Sequence, residues 1–144
     1  PIRTQISVAE LFTDLKKLFP EEEFQFEAPS PELKLNADRT QIEQVLINLL
    51  KNAREACNRK LDKNIQVKVK KLSTGNTALT ISDNGEGILP DVLDKIFVPF
   101  FTTKTSGSGI GLSLCKQIMT LHEGSINVKS EVGKGSSFIL TFPK

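Results

Sequence analysis

The segment Leu79–Thr80–Ile81–Ser82–Asp83–Asn84–Gly85–Glu86–Gly87–Ile88 decides the fold of this 144-residue chain. Its first four residues alternate between apolar and polar, which is the pattern of a strand with one buried face and one solvent-exposed face. By this alternation, Asp83 points to the same side as Leu79 and Ile81. A carboxylate on the dry side is costly unless it meets a hydrogen-bond donor. The segment therefore predicts a strand that ends in Asp83, an aspartate whose buried carboxylate must meet a hydrogen-bond donor.

Three other segments alternate in the same way, which extends the predicted sheet. Their apolar positions are Ile65, Val67 and Val69; Ile126 and Val128; and Phe138, Leu140 and Phe142. Glu21 to Leu35 predicts two short strands around the turn Pro29–Ser30–Pro31. A sheet with one dry face needs only one layer of helices.

The helices of that layer are indicated by apolar periodicity and by capping residues. Ser7 is expected to cap a helix that runs to about Phe19, and Asp38 to cap one through about Lys60, with Gln41 completing a capping box. A third helix is expected from about Ile110 to Leu121. The predicted fold is a single α/β (α+β) domain over residues 1–144. It is a two-layer sandwich with a mixed, mostly antiparallel sheet and helices on one face.

Composition excludes several classes of function. The formal net charge of +2 is too small to imply nucleic acid, and no apolar run is long enough to span a membrane. Cys57 and Cys115 form no CxxC motif and are expected to be reduced thiols. We therefore expect a cytoplasmic domain that contacts neither nucleic acid nor membrane directly. Because the chain opens at Pro1 and has Met119 as its one methionine, we expect a fragment of a longer protein.

A polar stripe runs along the helix that Asp38 begins. Asn48, Asn52 and Glu55 share a face because residues three and four apart are neighbours on a helix. Asparagine is a poor helix former, and such local conflicts tend to mark functional sites. Amide oxygens suit Mg²⁺ that is otherwise held by phosphates. The alternative interpretation is a solvated polar face.

The turn after the Leu79–Asp83 strand suggests a pocket for a nucleotide base. Asp83 would accept a hydrogen bond from an exocyclic amine, and Gly85 and Gly87 would let a flat ring approach the backbone. The alternative is a tight turn with a capped aspartate.

Gly107–Ser108–Gly109–Ile110–Gly111–Leu112 leads into the third helix and suggests a phosphate site. Glycines before a helix expose backbone N–H groups, and the helix dipole favours an anion there. Lys104 and the hydroxyls of Thr102 and Thr103 would reach a terminal phosphate. The motif is neither a Walker A loop nor a good dinucleotide fingerprint. The alternative is a flexible loop with a helix cap.

Two further features have simpler interpretations. Gly133–Lys134–Gly135–Ser136 is typical of a hairpin turn between the last two strands. His122, the one histidine, is expected at the end of the third helix and not as a nucleophile.

The order of these motifs resembles the catalytic ATP-binding domain of sensor histidine kinases. That domain belongs to the GHKL superfamily, with gyrase, heat-shock chaperone and mismatch-repair ATPases, whose shared fold is the Bergerat fold. The similar motifs are the N box (Asn48–Ala53), the G1 box (Asp83–Gly87), the F box (Phe97–Phe101), the G2 box (Gly107–Leu112) and the following glycine motif (Gly133–Ser136). Phe101–Thr102–Thr103–Lys104 continues the F box as in kinases of the nitrogen-regulation type.

The resemblance implies a role for each part of the site. Asn52 would coordinate Mg²⁺, while Asn48 and Lys104 would act at the transferred phosphate as catalytic residues. Asp83 would bind the adenine amine, and residues 97–109 would form a mobile lid over ATP. The ATP-binding residues implied are Asn48, Asn52, Glu55, Asp83, Gly85, Gly87, Ile88, Phe100, Thr102, Thr103, Lys104, Gly107, Ser108, Gly109, Ile110, Gly111, Leu112 and Ser136.

Asn48 also bears on the reaction. The chaperone ATPases carry a glutamate at this position, and it activates water, whereas a carboxamide cannot act as a general base. This favours transfer of the γ-phosphoryl group to a histidine on an upstream, homodimeric phosphoacceptor hairpin, in two-component signalling with a response regulator downstream. The chain alone would not autophosphorylate. The alternatives are an anti-sigma-type serine kinase, a nucleotide-binding regulatory module and a hydrolysing ATPase.

Overall fold

The computed structural model describes residues 1–27, 29–101 and 111–144. In these ranges the strands are β1 (Thr4–Ser7), β2 (Phe24–Phe26), β3 (Lys34–Ala37), β4 (Ile65–Lys71), β5 (Thr77–Asp83), β6 (Ser125–Glu131) and β7 (Gly135–Phe142). The helices are α1 (Val8–Leu18), α2 (Arg39–Ala56), the short α3 (Pro90–Leu93) and α4 (Gly111–Leu121).

The main sheet has five strands in the order β2-β4-β5-β7-β6, and β1 and β3 form a separate antiparallel pair. β2 runs parallel to β4, and every other neighbouring pair in the main sheet is antiparallel. The mixed, mostly antiparallel sheet predicted from the alternation is therefore confirmed. β5 is its middle strand, so the segment that ends in Asp83 lies between β4 and β7.

The three longer helices cover the apolar face of this sheet. Each contributes a row of buried side chains at helical spacing: Val8, Leu11, Phe12 and Leu15 from α1; Ile42, Val45, Leu46 and Leu49 from α2; and Cys115, Ile118 and Met119 from α4. They pack with β-strand residues such as Leu79 and Leu140 in one core. Full burial of a Leu or Ile side chain contributes about 1.5–3 kcal/mol, so this contact dominates the stability of the domain.

Both predicted helix caps are present. Ser7 Oγ accepts a hydrogen bond from the Glu10 N–H, and Asp38 Oδ1 accepts one from the Gln41 N–H. α2 ends at Ala56, four residues before the predicted end at Lys60, and its C-cap is Cys57. The Ala56 carbonyl accepts instead from the Glu86 N–H, so the turn after β5 stops the helix.

The strands near the amino terminus belong to two different sheets. The two strands on either side of Pro29–Pro31 are present, but β2 pairs with β4, and β3 pairs with β1. β1 was not predicted, because its four residues contain one buried apolar side chain, Ile6. A single apolar residue gives no alternation to detect.

His122 follows α4, as predicted, and joins that helix to the start of α2. Its side chain is 2% exposed. Nδ1 lies 2.9 Å from the Ile118 carbonyl oxygen, and Nε2 accepts from the Asp38 N–H at 3.0 Å. Since a carbonyl only accepts, the proton is on Nδ1. The Asp38 N–H is thereby occupied, so the capping box is only half formed, and Gln41 Oε1 has no hydrogen-bond partner in the described part of the chain.

Two other expectations concern the thiols and the membrane. Cys57 and Cys115 are both free and buried, as expected. Within the described ranges, the structure contains no helix with the length and apolarity needed to cross a bilayer.

We predict that His122→Phe lowers the free energy of unfolding by about 1–3 kcal/mol, because it leaves the part-buried Asp38 N–H without its acceptor, the buried His122 ring. Urea unfolding followed by circular dichroism measures this change. Thr120→Ala, an exposed substitution in the last turn of α4, is the control and should change stability by less than about 0.5 kcal/mol. Equal midpoints for His122→Phe and the native domain would contradict the assigned role.

Candidate functional site

The polar stripe of α2 lies between the turn after β5 and the start of α4. Asn48 faces α4, since a Cβ placed on Gly111 would be 3.5 Å from Asn48 Oδ1. Asn52 follows one turn later, and neither Asn52 nor Glu55 is without an interaction partner. One turn beyond Asn52, the Ala56 carbonyl binds the Glu86 N–H at 3.2 Å. α2 therefore brings the predicted metal residues close to the turn of the predicted base pocket and to Gly111, which is in the described part of the predicted phosphate motif.

Asp83 is half-buried at the end of β5. Its Oδ1 accepts from the Gly85 N–H at 2.9 Å, and the carboxylate also accepts from the backbone N–H of Ser136. Desolvation raises the pKa of this carboxyl, and the two hydrogen bonds only partly oppose the shift. A carboxylate has about four acceptor positions, so two backbone donors leave capacity for a further donor.

Gly85 and Gly87 are required by packing within the protein. A Cβ on Gly85 would overlap the Ala56 carbonyl, and one on Gly87 would overlap the Glu131 carbonyl. Gly87 also has a φ of +79°, which favours glycine. The sequence suggested these glycines only as space for a ring. Their role beside a base stays a prediction, and they explain how the turn fits between α2 and the β6–β7 hairpin.

Ser136 lies opposite Asp83 in the register of β5 and β7 and is 9% exposed. Its Oγ is 2.8 Å from Ser130 Oγ, which also accepts from the Ile88 N–H at 2.8 Å. Ile88 and Ser136 were both predicted to bind nucleotide, and Ser130, which joins them, was missed. The sequence did contain a signal for Ser130. It lies two residues after Val128 in β6, where the alternating pattern predicts an apolar side chain.

Asn84 is a second residue that sequence reasoning did not assign a role. Its Oδ1 accepts from the Asn64 N–H at 2.9 Å, and its Nδ2 donates to the Asp62 carbonyl at 2.8 Å. The side chain thus attaches the turn to the segment before β4. Its function is to hold the turn, which fixes the position of Asp83 next to it.

Part of the predicted site lies outside the described residues: Thr102, Thr103, Lys104, Gly107, Ser108, Gly109 and Ile110. The described flanks are Phe97–Phe101 and the start of α4 at Gly111–Leu112. The Lys116 ammonium of α4 lies 5.6 Å from the centre of the Phe97 ring. Phe100 is 75% exposed, and its role as an ATP-binding residue stays a prediction.

Cys115 connects the core to Asn48. The Asn48 side chain hydrogen-bonds to this thiol, and Cys115 Sγ lies 3.8 Å from the Val45 carbonyl. Burial raises the pKa of the Cys115 thiol to about 12, more than the Asn48 contact lowers it. A thiol that stays protonated is a poor nucleophile, so we assign Cys115 the role of positioning Asn48.

Comparison with known proteins agrees with this geometry. The model of the family described as "Histidine kinase-, DNA gyrase B-, and HSP90-like ATPase" matches residues 37–144. The sensor histidine kinase ZraS of Salmonella typhimurium is 42% identical over 110 residues, which are 76% of this chain and 23% of ZraS. The catalytic domain of the histidine kinase ThkA, in a nucleotide-free form, superposes with a TM-score of 0.85 at 36% identity, covering 99% of this chain and 95% of that domain.

The chain belongs to this family and is an ATP-binding catalytic domain of the type that sensor histidine kinases carry. It spans less than a quarter of the length of ZraS. ThkA in complex with the response regulator protein TrrA is also similar, with a TM-score of 0.80 at 34% identity, covering 99% of this chain and 42% of that kinase.

The raised pKa of Asp83 predicts a stability that depends on pH. A carboxyl whose pKa is higher in the folded state binds more protons there, so its contribution to stability falls as pH rises through the range just above its ordinary value of 3.8. We expect Asp83→Asn to unfold at the same or a higher urea concentration than the native domain at pH 7.

The difference should shrink at a pH well below 3.8, where the Asp83 carboxyl is protonated in both the folded and the unfolded state and is as uncharged as the asparagine. The exposed Asp62→Asn is the matched control and should follow the native domain at both pH values. A clear loss of stability in Asp83→Asn at pH 7, with none in acid, would contradict the assignment of Asp83 as a desolvated carboxylate.

Proposed function

We propose that the domain binds Mg-ATP between α2, the turn at residues 83–88 and the start of α4, and donates the γ-phosphoryl group to a histidine of its parent kinase. The observation that carries the proposal is the Asp83 carboxylate. It is half-buried, it is held by two backbone N–H groups, and it keeps acceptor capacity. A site of this kind selects a ligand that brings its own donor.

The adenine amine is that donor in our account. Asp83 accepts from it, and the backbone from Gly85 to Ile88 lies along the base. The hydrogen bonds of Asn84 and Ser130 hold this backbone in place without a ligand. Binding should therefore lose little conformational entropy in this part of the chain. We therefore assign the other end of the nucleotide to the asparagines of α2.

The phosphates lie in this account between the α2 asparagines and the amino-terminal end of α4. That end lies beside Asn48 and favours an anion through the helix dipole. Asn52 fits Mg²⁺, because an amide oxygen is a hard ligand and Mg²⁺ takes most of its ligands from phosphates and water. When bound, Mg²⁺ neutralises charge on the phosphates. Lys104 would add a positive charge at the γ-phosphate.

Phosphoryl transfer then depends on positioning and on electrostatic stabilisation. A nitrogen of the acceptor imidazole attacks the γ-phosphorus, the bond to the β–γ bridging oxygen breaks, and ADP leaves with that oxygen. Asn48 supplies no general base for water, which favours this transfer over hydrolysis. His122 is unsuited as the acceptor because it is buried and both ring nitrogens are hydrogen-bonded.

The acceptor is therefore on another segment, which we propose to be a homodimeric helical hairpin of the parent kinase. A response regulator is the partner downstream, supported by the complex of the similar kinase ThkA with TrrA. We place the domain in the cytoplasm, whether or not the parent is anchored in a membrane. Relatives such as ZraS favour this function over an anti-sigma-type serine kinase, a regulatory module or a hydrolysing ATPase.

Calorimetric titration with ATP and ADP, with and without Mg²⁺, tests the site. The native domain should bind both nucleotides, and Asn52→Ala should remove most of the Mg²⁺ dependence. Asp83→Ala should weaken binding at least 100-fold, because the adenine amine loses its acceptor in a partly desolvated pocket. Glu123→Gln, an exposed carboxylate beyond α4, is the control and should bind like the native domain. A folded native domain that binds neither nucleotide would refute the proposal.

A further inference from the structure

The hydroxyl of Ser130 joins the backbone of the predicted base pocket to Ser136, the one buried serine among the residues that the structure describes. We propose that Ser130 makes Ser136 a hydrogen-bond acceptor, and that it thereby contributes to selection of adenine over purines with a 6-oxo group. The inference rests on the proposed function and adds a residue that fixes which base the site prefers. Ser130 is a positioning residue in this account, since it acts through Ser136.

The three contacts of Ser130 Oγ determine where its proton lies. The Ile88 N–H donates to it at 2.8 Å, the Gly135 carbonyl lies 3.1 Å away, and Ser136 Oγ lies 2.8 Å away. A hydroxyl has one proton and two acceptor positions. The Ile88 N–H can only donate and the Gly135 carbonyl can only accept. All three contacts are satisfied when Ser130 donates to Gly135 and accepts from Ile88 and from Ser136.

This arrangement uses the only proton of the Ser136 hydroxyl. Toward any other group, Ser136 Oγ can then only accept. Ser136 lies opposite Asp83 across β5 and β7, and its backbone N–H binds the Asp83 carboxylate. The end of β5 therefore presents two neighbouring acceptors, a carboxylate and a hydroxyl oxygen whose proton points away. Both are partly removed from water, which strengthens their preference for a donor.

Two acceptors match the chemistry of adenine. Its 6-amino group carries two N–H donors, whereas hypoxanthine and guanine carry a carbonyl oxygen there, which both acceptors would repel. Polar sites of this kind discriminate strongly because the wrong group leaves buried atoms unpaired. A Ser136 hydroxyl that was free to rotate would donate to the 6-oxo group and relieve part of this penalty.

The experiment compares binding of ADP and inosine diphosphate, which differ at this group, by calorimetry. Variants are Ser130→Ala, Ser136→Ala and the double variant, with Ser130→Thr retaining the hydroxyl. We expect Ser130→Ala to reduce the preference for ADP roughly 5- to 10-fold, an effect of the size of one hydrogen bond. Ser130→Thr should keep most of the native preference. In the Ser136→Ala background, Ser130→Ala should cause no further change in the ratio.

Three results would overturn the inference. The first is that Ser130→Ala leaves the ratio of the ADP and inosine diphosphate affinities unchanged. The second is that Ser130→Ala causes the same loss of preference for ADP in the native and in the Ser136→Ala background, which would assign the effect to Ile88. The third is that Ser136→Ala leaves the ratio of the two affinities unchanged. This test remains valid if Ser130→Ala fails to fold. Ser125→Ala, an exposed serine of the same strand, is the control. A native domain that binds neither diphosphate refutes the proposed function itself, whereas ADP binding with an unaltered ratio refutes only this inference.

Discussion

The close approach of the turn after β5 to the last carbonyl of α2 sets the geometry of the whole site. The Ala56 carbonyl accepts from the Glu86 N–H, and the contact is possible because Gly85 has no side chain. Asn84 attaches the other side of the turn to the segment before β4. A shift of this turn would move Asp83 away from the α2 asparagines, and one nucleotide would then no longer reach both.

The same constraint explains why the site contains Asp83, although burial of its carboxylate lowers the stability of the domain. The fold places the Asp83 carboxylate where desolvation raises its pKa, and only two backbone N–H groups compensate. Such a group lowers stability and keeps part of its hydrogen-bonding capacity for a ligand, which is the usual relation between stability and function at binding sites. Ser130 and Ser136 extend this arrangement. Their hydroxyls are paired with each other, so both serines are held in place without a ligand.

The sequence predicted the features that depend on pattern. Alternation in β4, β5 and β7 indicated the sheet, and Ser7 and Asp38 were recognised as helix caps by residue type. Features that depend on contacts between distant segments were missed. β1 has one inward apolar residue, α2 stops early because Glu86 takes its last carbonyl, and His122 binds Asp38 across 84 positions of sequence. In the site, Asn48, Asn52 and Asp83 could be proposed from spacing, whereas Ser130 and Asn84 act through partners that only the fold reveals.

Relatives and geometry together support our proposal that this domain passes the γ-phosphoryl group of ATP to a histidine outside itself. The most direct measurement mixes the domain with the phosphoacceptor hairpin of its parent kinase and γ-labelled ATP, and then determines which residue carries the label. The account predicts acid-labile label on a histidine of the hairpin, and no label on the domain when it is incubated alone. Label on a serine, or release of free phosphate without any labelled protein, would contradict it.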